Sequence, residues 1–173
     1  MSDFLSFDTL SLHAGQTLDS EFGSRAQPIH QTTSYVFTDT DTASSLFNLE
    51  RGGHVYNRIS NPTVGVLEQR VAALEGGSAS VCVSSGMSAV FCALTALVSQ
   101  GDHELATANM YGGNISLLKN TLPRFGITAT FVDPTDIKQI ESAIQENTKI
   151  IFGELIGNPG LSVMDLSLIH ISE

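Results

Sequence analysis

Apolar positions along the chain fall into two regimes that meet near Asn61. After Asn61, Val64, Leu67, Val71 and Leu74 lie three or four apart, the period of one helix face. Asn61-Pro62 offers an N-cap and a first-turn proline, and Gly76-Gly77 a stop. Ala79–Ser84 is short and β-branched and reads as a strand, after which Ser84-Ser85-Gly86 opens an apolar helix to about Ser99. Beyond the turn at Gly101-Asp102, the pattern predicts strands at His103–Asn109, Ile127–Val132 and Lys149–Ile156. Helices are predicted at Gly112–Phe125 and Thr135–Gln145. Strands alternating with helices at this spacing predict βαβ units and a largely parallel sheet.

Before Asn61 no period is sustained. Met1–Ser60 is rich in Ser and Thr and broken by Gly15, Gly23, Pro28 and Gly52-Gly53, with one short helix expected between Asp41 and Leu49. So long a loop-like stretch is unusual inside a compact domain and predicts an arm that wraps over something, such as another subunit.

Composition bounds the function. At 173 residues, with 42% hydrophobic and 15% charged residues, the chain can bury a domain-sized core. The apolar run Val90–Val98 is about half the length that spans a bilayer. The N-terminus MSDFLSFDTL carries an acid where a signal peptide has a basic region. A soluble, cytoplasmic protein is expected, with no membrane partner. Eighteen acidic residues against eight basic ones give a formal charge of −10 and leave no basic stripe for nucleic acid. An anionic ligand must then be held by a local device. Cys82 and Cys92 read as small core residues of a reducing compartment. The five histidines show no metal-ligand spacing, so no metal is expected.

In an open parallel sheet ligands bind beyond the carboxyl ends of the strands. The segments there are Ser84-Ser85-Gly86-Met87, Tyr111-Gly112-Gly113, Asp133-Pro134 and Gly157-Asn158-Pro159, with Glu154 just inside the last strand end. Ser85-Gly86-Met87 at a helix start offers free N–H groups and the positive end of a dipole, a seat for a phosphate. A plain helix cap at Ser84 or Ser85 accounts for the same residues equally well. No GxGxxG and no GK[ST] is present. Tyr56-x-Arg58 reads as extended, which puts phenol and guanidinium on one face where both can reach one phosphate. Alone, the pair fits an exposed arginine beside a half-buried tyrosine at least as well.

The run Tyr56-x-Arg58-x-x-Asn61-Pro62-Thr63 resembles the pyridoxal-phosphate enzymes of cysteine and methionine metabolism. That family includes the cystathionine synthases and lyases, methionine gamma-lyase and the O-acetylhomoserine sulfhydrylases. The similarity extends over Phe7 to Leu166. It takes in LHAGQ from Leu12, SRAQPIHQTTSYVF from Ser24, LEQRVAALEGG from Leu67, SSGMSA from Ser84, YGGN from Tyr111 and ELIGNP from Glu154. His30 and Asn114 stand where Tyr and Thr are often found. The resemblance implies a fold type I pyridoxal-phosphate-dependent transferase, an aspartate aminotransferase-like α/β large domain, here incomplete, with an extended N-terminal arm. Residues 1–60 would be the arm and 61–166 part of the cofactor-binding domain.

By the same resemblance the cofactor is pyridoxal 5'-phosphate. Tyr56 and Arg58 would hold its phosphate in the neighbouring subunit of a homo-oligomer (a homotetramer in this family) with shared active sites. Ser85, Gly86 and Met87 would bind the phosphate in their own subunit. Tyr111 would stack on the ring and assist the leaving group, and Asn158 would approach the phenolic oxygen with Glu154 beside it. SRAQPIHQTTSYVF and the ERGGHVY spacing look most like the sulfhydrylase branch, which implies O-acetyl-L-homoserine and sulfide as substrates and homocysteine as product. Sister reactions, or a non-catalytic binding protein on the same fold, are the alternatives. The family's Schiff-base lysine has no counterpart among Lys119, Lys138 and Lys149, so the chain by itself is expected to be inactive. Ser167–Glu173, SLIHISE, departs from the family and reads as an artefactual tail in which His170 carries no functional weight.

Overall fold

The computed structural model describes residues 5–169. His170 and the rest of the predicted tail beyond it lie outside the described residues. Contacts divide the chain into two compact units, Met1–Cys82 and Val83–Glu173, so the dividing point falls later than Asn61, where the pattern turns regular.

The first unit is organised on α3, Pro62–Glu75. Asn61 caps it as its spacing predicts: Oδ1 accepts from the Thr63 N–H at 2.8 Å, while Nδ2 donates to the His30 carbonyl at 2.9 Å. Gly76 closes the helix in the left-handed conformation, φ 66°. The arm is laced to this helix rather than irregular throughout. Thr63 Oγ1 accepts from the His30 N–H at 2.9 Å and donates to the Pro28 carbonyl at 3.1 Å. Arg70 Nε donates to the Ala14 carbonyl at 2.9 Å. Next to that bond Gly15 has φ 76°, and a Cβ there would stand 2.6 Å from the Val66 carbonyl oxygen, so only glycine allows the approach.

One helix of the arm, α2 (Thr40–Phe47, capped by Asp39), is where the sequence places it. The other, α1 (Phe7–His13, capped by Ser6), corrects the expectation of a single helix before Asn61. A seven-residue helix gives too short a stretch for periodicity to register.

A second correction concerns Ala79–Ser84, which forms no strand. Its polar groups are satisfied otherwise: the Cys82 N–H donates to Glu68 Oε1 at 2.9 Å and Ser80 Oγ to the Glu68 carbonyl at 2.7 Å. β-branched content favours a strand only where a ladder partner exists.

The second unit holds a parallel sheet of order β2-β1-β3, with β1 His103–Thr107, β2 Thr128–Val132 and β3 Thr148–Phe152. All five residues of the central strand β1 are buried. Ala106 faces a cluster of Leu94, Val98, Met110, Leu117, Leu118, Leu122 and Ile127, beneath α4 (Gly86–Leu97) and the helix after β1. Leu105 faces Val132 and Ile140, the latter on α6 (Ile137–Ala143).

The helix after β1 changes pitch along its length. It is α-helical over α5, Gly112–Ser116, widens to a π turn at Leu117–Thr121 and tightens to 3-10 at Leu122–Phe125. Pro123 cannot donate to the ladder, and the wide turn before it puts Leu117, Leu118 and Leu122 into the core together. β3 ends at Phe152, short of the predicted Ile156. Ile156 instead bridges Val163 across a turn closed by Gly157 N–H to the Ser162 carbonyl at 2.8 Å. A last helix, α7, covers Leu166–Ile169.

Two buried polar residues on β1 stand out. The His103 imidazole is bonded on both nitrogens, to Thr148 Oγ1 at 2.8 Å and Thr130 Oγ1 at 2.9 Å, and burial pushes its pKa down. Glu104 is fully buried, neither carboxylate oxygen has a partner among the described residues, and burial pushes its carboxyl up to about 7. Among the described residues no helix is long and apolar enough to cross a membrane, and no group of side chains could hold a metal ion.

Candidate cofactor-binding site

In the second unit the predicted rim is assembled around Tyr111. Ser85 caps α4, its Oγ accepting from the Ser88 N–H at 3.1 Å. The first helical bond belongs to the Ala89 N–H, on the Ser85 carbonyl at 3.0 Å. The N–H groups of Gly86 and Met87 therefore have no intrahelical acceptor. A Cβ on Gly86 would meet nothing within 4 Å, so the space beside its Cα is open.

Tyr111 precedes α5 and its ring is half exposed. The ring lies over Gly113, where any Cβ would collide with it, and Met87 Sδ would stand 3.1 Å from that same Cβ. The first turns of α4 and α5 thus meet at a seat that only glycine leaves open for the aromatic. Glu154 reaches in from the end of β3. Its Oε1 accepts the Tyr111 backbone N–H at 2.9 Å and Asn114 Nδ2 at 2.8 Å. Asn114 is buried, and its Oδ1 has no partner among the described residues. Asn158 is exposed on the turn after Gly157. That turn is tied to the loop after β1 by Asn109 Nδ2, which donates to Ser162 Oγ at 3.1 Å.

Sequence reasoning did not include Asn114 in the site. Its signal was the amide three residues after Tyr111, in the first turn of a helix.

Tyr56 and Arg58 belong to the first unit. The segment there is not extended as predicted. Tyr56 pairs with Ser34 in an isolated bridge, then its carbonyl accepts from the Ile59 N–H at 2.9 Å and the Ser60 N–H at 3.1 Å, which closes a turn. The turn places the Arg58 guanidinium 5.5 Å from the Tyr56 ring centroid, so phenol and cation are still neighbours, by a different route. Both side chains are exposed. A cavity of about 720 Å³ in the same unit, lined by Leu12, His13, Arg25, Val66 and Arg70 among others, includes none of the predicted site residues.

A parallel sheet with a free helix N-terminus, an aromatic and a carboxylate at its carboxyl rim is the arrangement of the large domain of fold type I pyridoxal-phosphate enzymes. An O-acetylhomoserine (thiol)-lyase from Campylobacter jejuni superposes with a TM-score of 0.89 at 41% identity, over 95% of this chain and 40% of that one. That structure carries N'-pyridoxyl-lysine-5'-monophosphate. The chain belongs to the Cys/Met metabolism PLP-dependent enzyme family, whose model matches residues 8–172. The homocysteine synthase of Schizosaccharomyces pombe is 50% identical over 163 residues, 94% of this chain and 38% of the relative. An L-methionine gamma-lyase of Fusobacterium nucleatum is 38% identical over 158 residues, 91% of this chain and 40% of the relative. The chain thus spans about two fifths of the length of the proteins it matches.

The residues present fit the family's cofactor. Open amides on Gly86 and Met87 suit a phosphate dianion, and the exposed Tyr111 ring suits a planar heterocycle.

Proposed function

We propose that these residues form the N-terminal portion of an O-acetylhomoserine sulfhydrylase, which makes homocysteine from O-acetyl-L-homoserine and sulfide. The Cγ–O bond to acetate breaks and a Cγ–S bond forms. The observation that carries this reading is the Tyr111 ring, held beside the open amides of α4 by Glu154. The chain's greater identity to a homocysteine synthase than to a methionine gamma-lyase over a similar stretch supports the branch.

Bound pyridoxal phosphate supplies the electron sink for carbanion chemistry at the amino acid. The chain's own residues bind and orient. Ser85, Gly86 and Met87 hold the phosphate through the α4 N-terminus, with a dipole in place of side-chain cations. Tyr111 stacks on the ring, and its Oη holds a proton for the departing acetate oxygen. Asn158 donates to the ring's phenolic oxygen, and Glu154 completes the pocket. Tyr56 and Arg58 add a phenol and a guanidinium to the phosphate of a neighbouring subunit in a cytoplasmic homo-oligomer. The apolar side chains that the arm leaves exposed, Leu18, Phe22, Ile29 and Val36, support such an assembly. Lys119, Lys138 and Lys149 are all exposed and none stands on the rim, so the cofactor's lysine comes from outside these residues.

The full-length enzyme carrying this chain, supplied with O-acetyl-L-homoserine and sulfide, is expected to release homocysteine and acetate with kcat/KM well above that for cleavage of methionine. Similarity to the methionine gamma-lyase favours elimination as the second reading. Faster methionine cleavage with no homocysteine formed would select it.

A further inference from the structure

Glu154 stands beside the proposed cofactor, yet its bonding is directed at the protein. One oxygen, Oε1, takes both the Tyr111 N–H at 2.9 Å and Asn114 Nδ2 at 2.8 Å. These donors lie 43 and 40 residues before it, so the carboxylate joins the end of β3 to the loop after β1. On its other side the Tyr111 carbonyl accepts from the Asn114 N–H at 2.9 Å and the Ile115 N–H at 3.2 Å. The Tyr111 backbone is therefore fixed at both ends of the residue. Its side chain caps nothing and rests on Gly113, and with the rotamer held by that contact the plane of the ring follows from where the backbone is held. Asn114 is held in turn: it is 6% exposed, and among the described residues its side chain bonds to Glu154 alone.

We propose that Glu154 and Asn114 are positioning residues that set the plane of the Tyr111 ring, with Glu154 acting as a hydrogen-bond acceptor and not through its charge. This rests on the reading above, in which Tyr111 stacks on the cofactor. Because both donors converge on one oxygen, the amide oxygen of a glutamine can serve them equally. Methionine, of similar length, cannot. Leucine at position 114 removes the second donor while keeping the buried volume close to that of asparagine.

The test uses the full-length enzyme with four variants: Glu154→Met, Glu154→Gln, Asn114→Leu and Tyr111→Leu. Cofactor content after dialysis, visible circular dichroism of the bound cofactor, kcat and KM are measured for each. Misplacing a reacting group by a fraction of its contact distance lowers the rate by about tenfold or more. Glu154→Met and Asn114→Leu are expected to keep the cofactor and to lose about tenfold in kcat with KM little changed. Both should share the altered dichroism of Tyr111→Leu, while Glu154→Gln recovers the dichroism and stands about tenfold above Glu154→Met in kcat. Should Glu154→Met fail to fold, Asn114→Leu and Glu154→Gln carry the same prediction. The proposal is overturned if Glu154→Gln is as impaired as Glu154→Met, which would assign the role to charge. Loss of cofactor from Glu154→Met alone, which would mean direct contact, also overturns it. Unchanged dichroism and kcat in Tyr111→Leu would sink the stacking reading itself, whereas an impaired Tyr111→Leu beside unimpaired Glu154 and Asn114 variants would sink only the positioning.

Discussion

The carboxyl of Glu104 sits at the centre of the sheet with no hydrogen-bond partner for either oxygen among the described residues. Its register partners are Ala129 on β2 and Ile150 on β3, and neither side chain can donate. Burial raises its pKa from 4.5 to about 7, so the folded state holds this proton more tightly than the unfolded chain does. Below pH 4.5 the group is neutral in both states and costs nothing in ionisation. As pH rises from there to about 7 the unfolded chain releases the proton first, and stability falls; above that both states are ionised and the loss is complete. At about 1.4 kcal/mol per pH unit the full penalty is about 3 kcal/mol, and water admitted by breathing of the site brings it toward about 2. Glu104→Gln keeps the shape without the titration. The full-length enzyme and this variant, unfolded in urea and followed by far-ultraviolet circular dichroism, should differ by a quantity that depends on pH. The variant should gain about 2–3 kcal/mol over the parent between about pH 5 and pH 8. Glu104→Leu, which also removes the orphaned polar atoms, should gain at least as much at the upper pH. A difference independent of pH, or a leucine variant less stable than the parent at pH 8, would refute the assignment of an unpaired buried carboxyl.

Three further outcomes are expected. Arg58→Ala in the full-length enzyme should weaken cofactor retention by about 2–5 kcal/mol, as for removal of one partner of a buried charge pair. Arg124→Ala, on the exposed 3-10 turn, should cost less than about 1 kcal/mol, and equal retention by the two after dialysis refutes the phosphate role. Mixing the Arg58 variant with a variant lacking the cofactor's lysine should restore part of the activity if the site is shared between subunits, and no restoration would leave Arg58 serving its own chain. Residues 1–173 expressed by themselves should form no stoichiometric borohydride-reducible link to pyridoxal phosphate at one defined lysine, because none of Lys119, Lys138 and Lys149 stands on the rim; such an adduct, mapped by mass spectrometry, is the opposing result.

The sequence was most legible where structure is decided locally. Asn61 and Ser85 cap their helices by bonding to amides two or three residues on, and Gly76 ends α3 through its own backbone freedom. For that reason the free amides of Gly86 and Met87 at the start of α4 were legible before any fold was known. Ala79–Ser84 failed as a strand because pairing is not local, and Glu68, some fourteen residues earlier, supplies its acceptor instead. Tyr56 and Arg58 came together as expected but by a turn, which a two-residue spacing cannot distinguish from an extended segment. The bond from Asn114 to Glu154 joins the helix that follows β1 to the end of β3, and only the parallel register of those strands brings them side by side. Glu104 was invisible for a related reason. A central strand buried at every position has no alternation, so HELAT reads as weak rather than as a core strand carrying a charge.

How this chain handles an anion follows from its charge. With a formal charge of −10, it carries no Lys or Arg among the rim residues Ser85, Gly86, Met87, Tyr111, Glu154 and Asn158. Amide dipoles can replace side-chain cations there because they cost no counter-charge when the site is empty and need no ordering when it fills. They also leave the dianion's charge unbalanced once a phosphate binds. The remaining compensation is assigned, in the proposed assembly, to a guanidinium from another subunit, Arg58. Under that assignment the phosphate site gains its cation only on assembly, so cofactor affinity and oligomerisation are thermodynamically linked, each strengthening the other by the same free energy.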